Sequence, residues 1–198
     1  MESHQPSPFK HAMIYGLYLA GISIAIAVIV WATALMEKLG LFGTMAIGVF
    51  NLVILILLLI YYTKIYRNEQ LNGKITFGQA FVFGVLIVLF STVVSSLYNY
   101  IFARYIDPGY AQRIMTMVQD KTYQMMANQG MSEDQIEEAM VRFEEQPIPT
   151  PLNSLISSLK FGLIGGTIMS LISSAIVKKN VNKDDAFEEA MEDVKTEE

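Results

Sequence analysis

The sequence predicts an all-α integral membrane protein with four transmembrane helices and an extracytoplasmic amphipathic helical hairpin between the third and fourth helices. Of its 198 residues, 53% are hydrophobic and only 17% are charged, whereas soluble domains carry about 25% charged residues. Four stretches of at least 25 residues contain a single charged side chain between them. A bilayer core of about 30 Å needs about 20 apolar residues in a helix, so each stretch is long enough to cross it.

The four spans are predicted at residues 12–36, 39–63, 77–103 and 154–177. All six prolines lie outside the charge-free stretches or at their edges, which lets each helix satisfy its own backbone hydrogen bonds in lipid. The first apolar run exceeds the core of a signal peptide, which is about 7–15 residues, so it is expected to be retained. Residues 1–183 are predicted to form one membrane domain, and residues 184–198 an acidic cytoplasmic tail.

The positive charges predict the orientation of the spans, because lysines and arginines close to span ends concentrate on the cytoplasmic side. The face that holds both termini and the loop after the second span carries Lys10, Lys64, Arg67, Lys74, Lys178, Lys179 and Lys183. The other face carries Lys38, Arg104, Arg113, Lys121 and Arg142 over a longer segment. Both termini are therefore predicted to be cytoplasmic, and residues 104–151 to face outward.

The outer segment 104–151 is too long for a structureless connection and its pattern predicts two helices, at 110–127 and 133–145. The first has an apolar face at three- and four-residue spacing, formed by Ile114, Met115, Val118, Met125 and Met126. This face is expected to lie against lipid headgroups or a neighbouring helix. Gly130 is predicted to end the first helix, Ser132 to begin the second, and the prolines of 147–151 to form a stiff spacer.

Small residues recur at every fourth position of the fourth span, at Ser158, Gly162, Gly166, Ser170 and Ser174. Such a row lets a second helix approach closely. We therefore predict that Gly162, Gly166, Ser170 and Ser174 form a helix-packing face. The spacing leaves open whether the partner helix belongs to the same chain or to a second one.

Three polar residues inside the spans are candidates for function, namely Asn51, Asn99 and Lys160. A buried amide needs a partner, so Asn51 is expected to join helices, and the alternative is a place on an ion or substrate path. Lys160 lies about 12 Å into the fourth apolar stretch. Its ammonium can extend to the interface, and the alternative is again a polar path.

No pattern in the sequence predicts catalysis or cofactor binding. Phosphate-binding glycine loops, a Ser/His/Asp set and the HExxH metal motif are absent, and the chain has no cysteine for a thiolate site. The net charge of −5 argues against nucleic-acid binding. We therefore predict no catalytic, cofactor-binding or metal-binding residue and no enzymatic activity.

Several short motifs resemble one uncharacterised family of small four-helix membrane proteins from a Gram-negative lineage, a domain of unknown function. The motifs are FGQAF at 77–81, YNYIF at 98–102, YIDP at 105–108 and GMSEDQI at 130–136. The resemblance extends over about residues 9–179 and implies four spans in the bacterial inner membrane. It implies no known activity and no catalytic residue.

These observations together favour an integral membrane protein that acts as a structural or interaction component. Its expected partners are membrane lipids and either a second copy of the chain or another membrane protein. The alternative is a small transporter or channel component, with a polar path near Asn51 and Lys160.

Overall fold

The structure is a computed structural model that describes residues 7–144 and 149–178. The predicted acidic tail lies outside the described residues, as does part of the proline-rich spacer. The chain forms α1 (Pro8–Ala32), α2 (Leu35–Gln70) and α3 (Phe77–Ile101), then a π-helical segment (Phe102–Ile106). It continues as α4 (Tyr110–Asn128), α5 (Glu133–Glu144) and α6 (Pro151–Val177).

Four helical segments are long and apolar enough to cross a membrane, so the chain is a multi-pass membrane protein. They are Pro8–Ala32, Phe42–Gln70, Phe77–Ile106 and Pro151–Val177. The first span ends four residues before the predicted position of 36. The chain turns already at Thr33 and Ala34, before the charged residues Glu37 and Lys38. Ala34 is left-handed at φ 49°, and the Thr33 hydroxyl donates to the Ile29 carbonyl at 2.7 Å.

Gly40 divides α2 into a short first turn and the span proper. Its backbone (φ 66°, ψ −161°) is not helical and lies in a region that favours glycine. At the other end of α2, Asn72 and Gly73 are left-handed at φ 49° and 80°. The Gly73 N–H then bonds the Arg67 carbonyl at 3.0 Å, which closes a tight turn into α3.

Side-chain caps begin α3 and α6. The Thr76 hydroxyl accepts from the Gln79 N–H at 3.3 Å, and the Gln79 side chain accepts from the Thr76 N–H at 3.0 Å. This capping box satisfies two N–H groups that a helix start leaves unpaired. At α6, Thr150 accepts from the Asn153 N–H at 3.2 Å. Pro151 is thus the first residue of α6 and not part of the spacer, because a proline fits the first helical turn.

Helix α3 is the centre of the bundle and packs most extensively against α6 and then α1. A Cβ atom on Gly16 of α1 would lie 2.6 Å from the Phe90 Cβ of α3, so the two helices touch at a glycine. One end of the bundle is filled by aromatic rings. Tyr66 and Phe83 stack with ring centroids 3.9 Å apart, and Tyr15 and Tyr62 stack at 5.0 Å.

Helices α4 and α5 pack against each other as a hairpin, and α4 also contacts α2. Gly130 turns the chain between them at φ 76°, and the Ser132 N–H donates to the Gln135 side chain at 3.3 Å. The apolar face predicted for the first loop helix is half-buried, and Thr122 on α4 and Ile136 on α5 are buried. We call residues 102–144, which comprise the π-helical segment, α4 and α5, the cap.

Candidate functional site

Asn51 on α2 carries a buried polar atom for which the described residues supply no hydrogen-bond partner. Its side-chain Oδ1 is shielded from solvent, and no donor within 7–144 or 149–178 reaches it. The only other such atom among the described residues is the Ser173 Oγ on α6. A buried polar group without a partner costs about 1–3 kcal/mol. A hydrogen bond from a bound molecule to the Asn51 amide would remove this cost.

A cavity of about 230 Å³ lies beside this amide, between α1, α2, α3 and the start of the cap. Most of its wall is apolar or aromatic, and two amides and two phenols add polar groups. The lining residues are Ile26, Ala27, Val30, Trp31, Met36, Ile47, Asn51, Tyr98, Asn99, Phe102 and Tyr110.

Three aromatic rings form one end of the cavity. Trp31 meets Phe102 edge to face with centroids 5.5 Å apart, and Phe102 meets Tyr110 in the same way at 5.5 Å. Such edge-to-face pairs stabilise packing beyond the area they bury. The Tyr110 hydroxyl donates to the Met36 sulfur at 3.4 Å. Because burial withdraws the phenol from water, the pKa of Tyr110 is raised.

A network of hydrogen bonds and ion pairs beside these rings joins the cap to α1 and α2. The Trp31 indole N–H donates to Asp107 Oδ2 at 2.9 Å. The two terminal guanidinium nitrogens of Arg113 donate to Asp107 Oδ1 at 3.1 Å and to Asp107 Oδ2 at 2.5 Å. Arg113 also lies 3.7 Å from a carboxylate oxygen of Glu37. The hydrogen bonds from Arg113 and then from Trp31 lower the pKa of Asp107. The same pairing raises the pKa of Arg113.

The π-helical segment brings the two halves of the network together. It ends with the Asp107 N–H bonded to the Phe102 carbonyl at 2.9 Å, across five residues. A π turn rotates the residues that follow relative to an α-helix and is common at functional sites. Phe102, the first residue of this segment, lines the cavity. Asp107, the residue after it, bonds Trp31 of α1 and Arg113 of α4.

Two of the three polar in-membrane candidates meet at this cavity. Asn51 lines it from α2 and Asn99 from α3, where the Asn99 side chain is exposed. Lys160 lies on α6, is exposed and does not line the cavity. This cavity therefore does not join Asn51 to Lys160.

The predicted small-residue face of α6 contacts α3 of the same chain. A Cβ on Gly166 would overlap Val88, and one on Gly162 would lie 2.6 Å from the Thr92 Cγ2. A Cβ on Gly84 of α3 would lie 3.1 Å from the Ser170 side chain. Ser170 and Ser174 are buried and donate their hydroxyls to carbonyls of their own helix at 2.8 and 2.5 Å.

Sequence reasoning did not identify Trp31, Asp107 and Arg113 as one site. Trp31 lies near the end of the first predicted span, and Asp107 lies in the YIDP motif at the start of the predicted outer segment. Trp31 and Asp107 are 76 positions apart, so no local spacing connects them. The one signal in the sequence is the predicted topology, which places the end of the first span and the start of the outer segment at the same membrane face.

Other features of the described ranges offer less chemistry. Within 7–144 and 149–178, no three His, Asp or Glu side chains gather as a metal ion would require. A larger cavity of about 310 Å³ lies between Pro8, Tyr66 and Phe83 at the aromatic-filled end of the bundle. Neither Asn51 nor Ser173, which hold the unpartnered atoms, lines that cavity.

The fold and the cavity together define a class: an all-helical, four-span membrane protein with a helical cap on one end of its bundle. A family model described as "Protein of unknown function (DUF4199)" matches residues 14–179. The match covers most of the chain, so the protein belongs to this family. Comparison with curated proteins finds no match, and neither does comparison with solved structures.

Proposed function

We propose that the protein is a non-enzymatic interaction component of a membrane, and that the cap is the part that meets its protein partner. The observation that carries this proposal is the way the cap is held. Asp107 and Arg113 fix its beginning to Trp31 of α1 and Glu37 of α2, while much of α4 and α5 stays exposed. An ordered, exposed helical pair offers a preformed surface, which lowers the entropic cost of association.

The exposed surface of the cap is acidic at α5. Glu133, Asp134 and Glu137 are exposed there, and charged surfaces of this kind favour partners of opposite charge. A second copy of the chain or another membrane protein is the proposed partner, and lipids cover the apolar faces of the spans.

We further propose that the membrane is a bacterial inner membrane, with both termini cytoplasmic and the cap outside. The density of lysines and arginines at the opposite end of the bundle supports this orientation. One of them, Arg67, donates to the Val177 carbonyl at 3.2 Å. Arg67 thereby caps the C-terminal end of α6, where a positive charge is favourable.

Photo-crosslinking in living cells tests the proposed interaction. A benzophenone amino acid is placed at Tyr123 or Glu137 of the cap, both exposed, and at Phe50 of α2 as a lipid-facing control. We expect a discrete protein adduct from the cap positions only. Two differently tagged copies of the chain reveal whether the adduct is a self-adduct, and mass spectrometry identifies any other protein. Identical products from all three positions, or none from the cap, would refute the proposal.

Transport is the second candidate function, because Asn51 and Asn99 border one cavity in the membrane region. A path must admit reagents from both sides of the membrane. Since the chain has no cysteine, Asn51→Cys and Asn99→Cys can be labelled with a small impermeant thiol reagent applied to either side in turn. Labelling of one position from both sides supports transport, and labelling from one side or neither supports the interaction role.

A further inference from the structure

We propose that the cavity beneath the cap is a binding site for a small, mostly apolar molecule that carries one hydroxyl group, such as a phenol or a compact alcohol. The hydroxyl would bond the Asn51 amide, and the apolar body would lie among Val30, Trp31 and Phe102. This site is separate from the exposed surface of the cap that carries the proposed interaction.

The volume of the cavity sets the size of the ligand. An engineered apolar cavity of about 150 Å³ holds one benzene, and this cavity measures about 230 Å³. There is room for one substituted ring or a compact fused pair, and too little for a typical drug-sized ligand, whose pockets start at about 300 Å³.

The unpartnered amide sets the polar chemistry of the ligand. Asn51 lines the cavity, and its Oδ1 receives no hydrogen bond from any residue that the structure describes. This oxygen is shielded, so the amide must rotate about its terminal bond to meet a ligand. A hydroxyl group can both donate and accept, so it suits either end of an amide. A charged group is disfavoured, because no ionisable Asp, Glu, Lys or Arg side chain lines the cavity and a buried charge needs a partner.

The aromatic end sets the shape of the apolar part. Trp31, Phe102 and Tyr110 pack edge to face in successive pairs, with ring centroids 5.5 Å apart in each pair. A further flat ring can join this arrangement. An acyl chain would occupy the same apolar wall but would leave the Asn51 amide unpaired. Water would pair the amide but would gain nothing from the rings.

The fluorescence of Trp31 reports occupancy directly, because Trp31 is the single tryptophan of the chain and lines the cavity. The probes are 4-bromophenol and 4-bromotoluene, which differ by a hydroxyl in place of a methyl, and whose bromine quenches indole emission. Both are titrated into the full-length protein in one mild detergent. Each probe also dissolves in the detergent micelles. Because it does so to the same extent with every variant, the apparent Kd values of the variants can be compared for one probe.

We expect saturable quenching by 4-bromophenol, with an apparent Kd about fivefold weaker in Asn51→Leu, as loss of one hydrogen bond predicts. Quenching by 4-bromotoluene should not weaken in that variant. Asn68→Leu removes an exposed amide away from the cavity and should match the wild type. Val30→Phe fills the cavity and should remove quenching by both probes, whereas Val28→Phe, on an exposed position of the same helix, should not.

Three results would overturn the proposal. Equal affinity of wild type and Asn51→Leu for 4-bromophenol would mean that the amide does not bind the hydroxyl. Equal quenching in Val30→Phe and Val28→Phe, with both variants monodisperse and fully helical, would place the probe outside the cavity. Quenching by lipids brominated on their acyl chains that Val30→Phe abolishes would show that lipid chains fill the cavity.

Discussion

At the scale of single residues, the close contact between α3 and α6 depends on glycines, which have no side chain to hold the two helices apart. Lipid tails are as apolar as leucine, so helices inside a membrane associate through close packing more than through the hydrophobic effect. Gly166 has no space for a Cβ because Val88 lies against it. At the same position on its neighbour Gly165, a Cβ would meet no atom within 4 Å from the other described helices.

Gly166→Leu should therefore lower the folded fraction in mild detergent, at a cost of about 1–3 kcal/mol for overpacking. Gly165→Leu is the matched control, with the same substitution one position away, and should be tolerated. Leu163→Phe, on an exposed side chain, should also be tolerated. The readout is the monodisperse, helical fraction after heating. If Gly166→Leu and Gly165→Leu behave alike, the packing of α6 on α3 is not as described.

Asp107 predicts a pH dependence for the attachment of the cap. Hydrogen bonds from Arg113 and then from Trp31 lower the pKa of Asp107 in the folded protein below the ordinary value of an aspartate. The carboxylate therefore contributes its stabilisation fully above its ordinary pKa, and the contribution is lost as the pH falls through the lowered pKa.

On acidification from about pH 5 to about pH 2, the emission of Trp31 should shift as the indole loses its carboxylate partner. Asp107→Asn should show the shifted emission already at neutral pH and change little on acidification. Asp120→Asn, on an exposed position of α4, should titrate as the wild type does. An unchanged titration in Asp107→Asn would show that another group controls the tryptophan.

At the scale of elements, α4 and α5 should differ in stability although both belong to the cap. Helix α4 contacts both α2 and α5, and α5 contacts chiefly α4, with Ile136 as its buried anchor. Local stability follows the number of buried contacts. Amide hydrogen exchange should be slowest in the spans, slower in α4 than in α5, and measurable by mass spectrometry of peptides from each helix.

Ile136→Ser should accelerate exchange throughout α5 and leave α3 unchanged, because it removes the buried apolar side chain of α5, a loss of about 2–5 kcal/mol. Val141→Ser changes an exposed residue of the same helix and should have little effect. Equal exchange in both variants would mean that Ile136 does not hold the hairpin together.

At the scale of the whole molecule, four spans require the cap and the loop after α2 to lie on opposite sides of the membrane. The absence of native cysteine makes the test direct. Gln129→Cys, at the exposed tip between α4 and α5, should react with an impermeant maleimide added outside intact cells. Glu69→Cys, exposed near the end of α2, should react only after lysis. Labelling of both from the outside would contradict the four-span arrangement.

The number and approximate positions of the spans follow from the sequence alone. A helix that crosses the bilayer needs about 20 consecutive residues with almost no charges, and such a stretch is visible in the sequence itself. The two loop helices follow for a similar reason, since the apolar face of α4 repeats at local spacing. Gly166 and Ser170 were recognisable as a packing row, because a four-residue step keeps them on one side of a helix.

Only the tertiary structure decided which surfaces meet. It places the small-residue row of α6 against α3 of the same chain. It also joins Trp31 to Asp107 across 76 positions, where Asp107 is held by Arg113 as well. It also leaves Asn51 Oδ1 without a donor among the described residues, beside a cavity that Lys160 does not line. Local periodicity determines which face of a helix is apolar or small, but the neighbour of that face depends on how all the helices pack together.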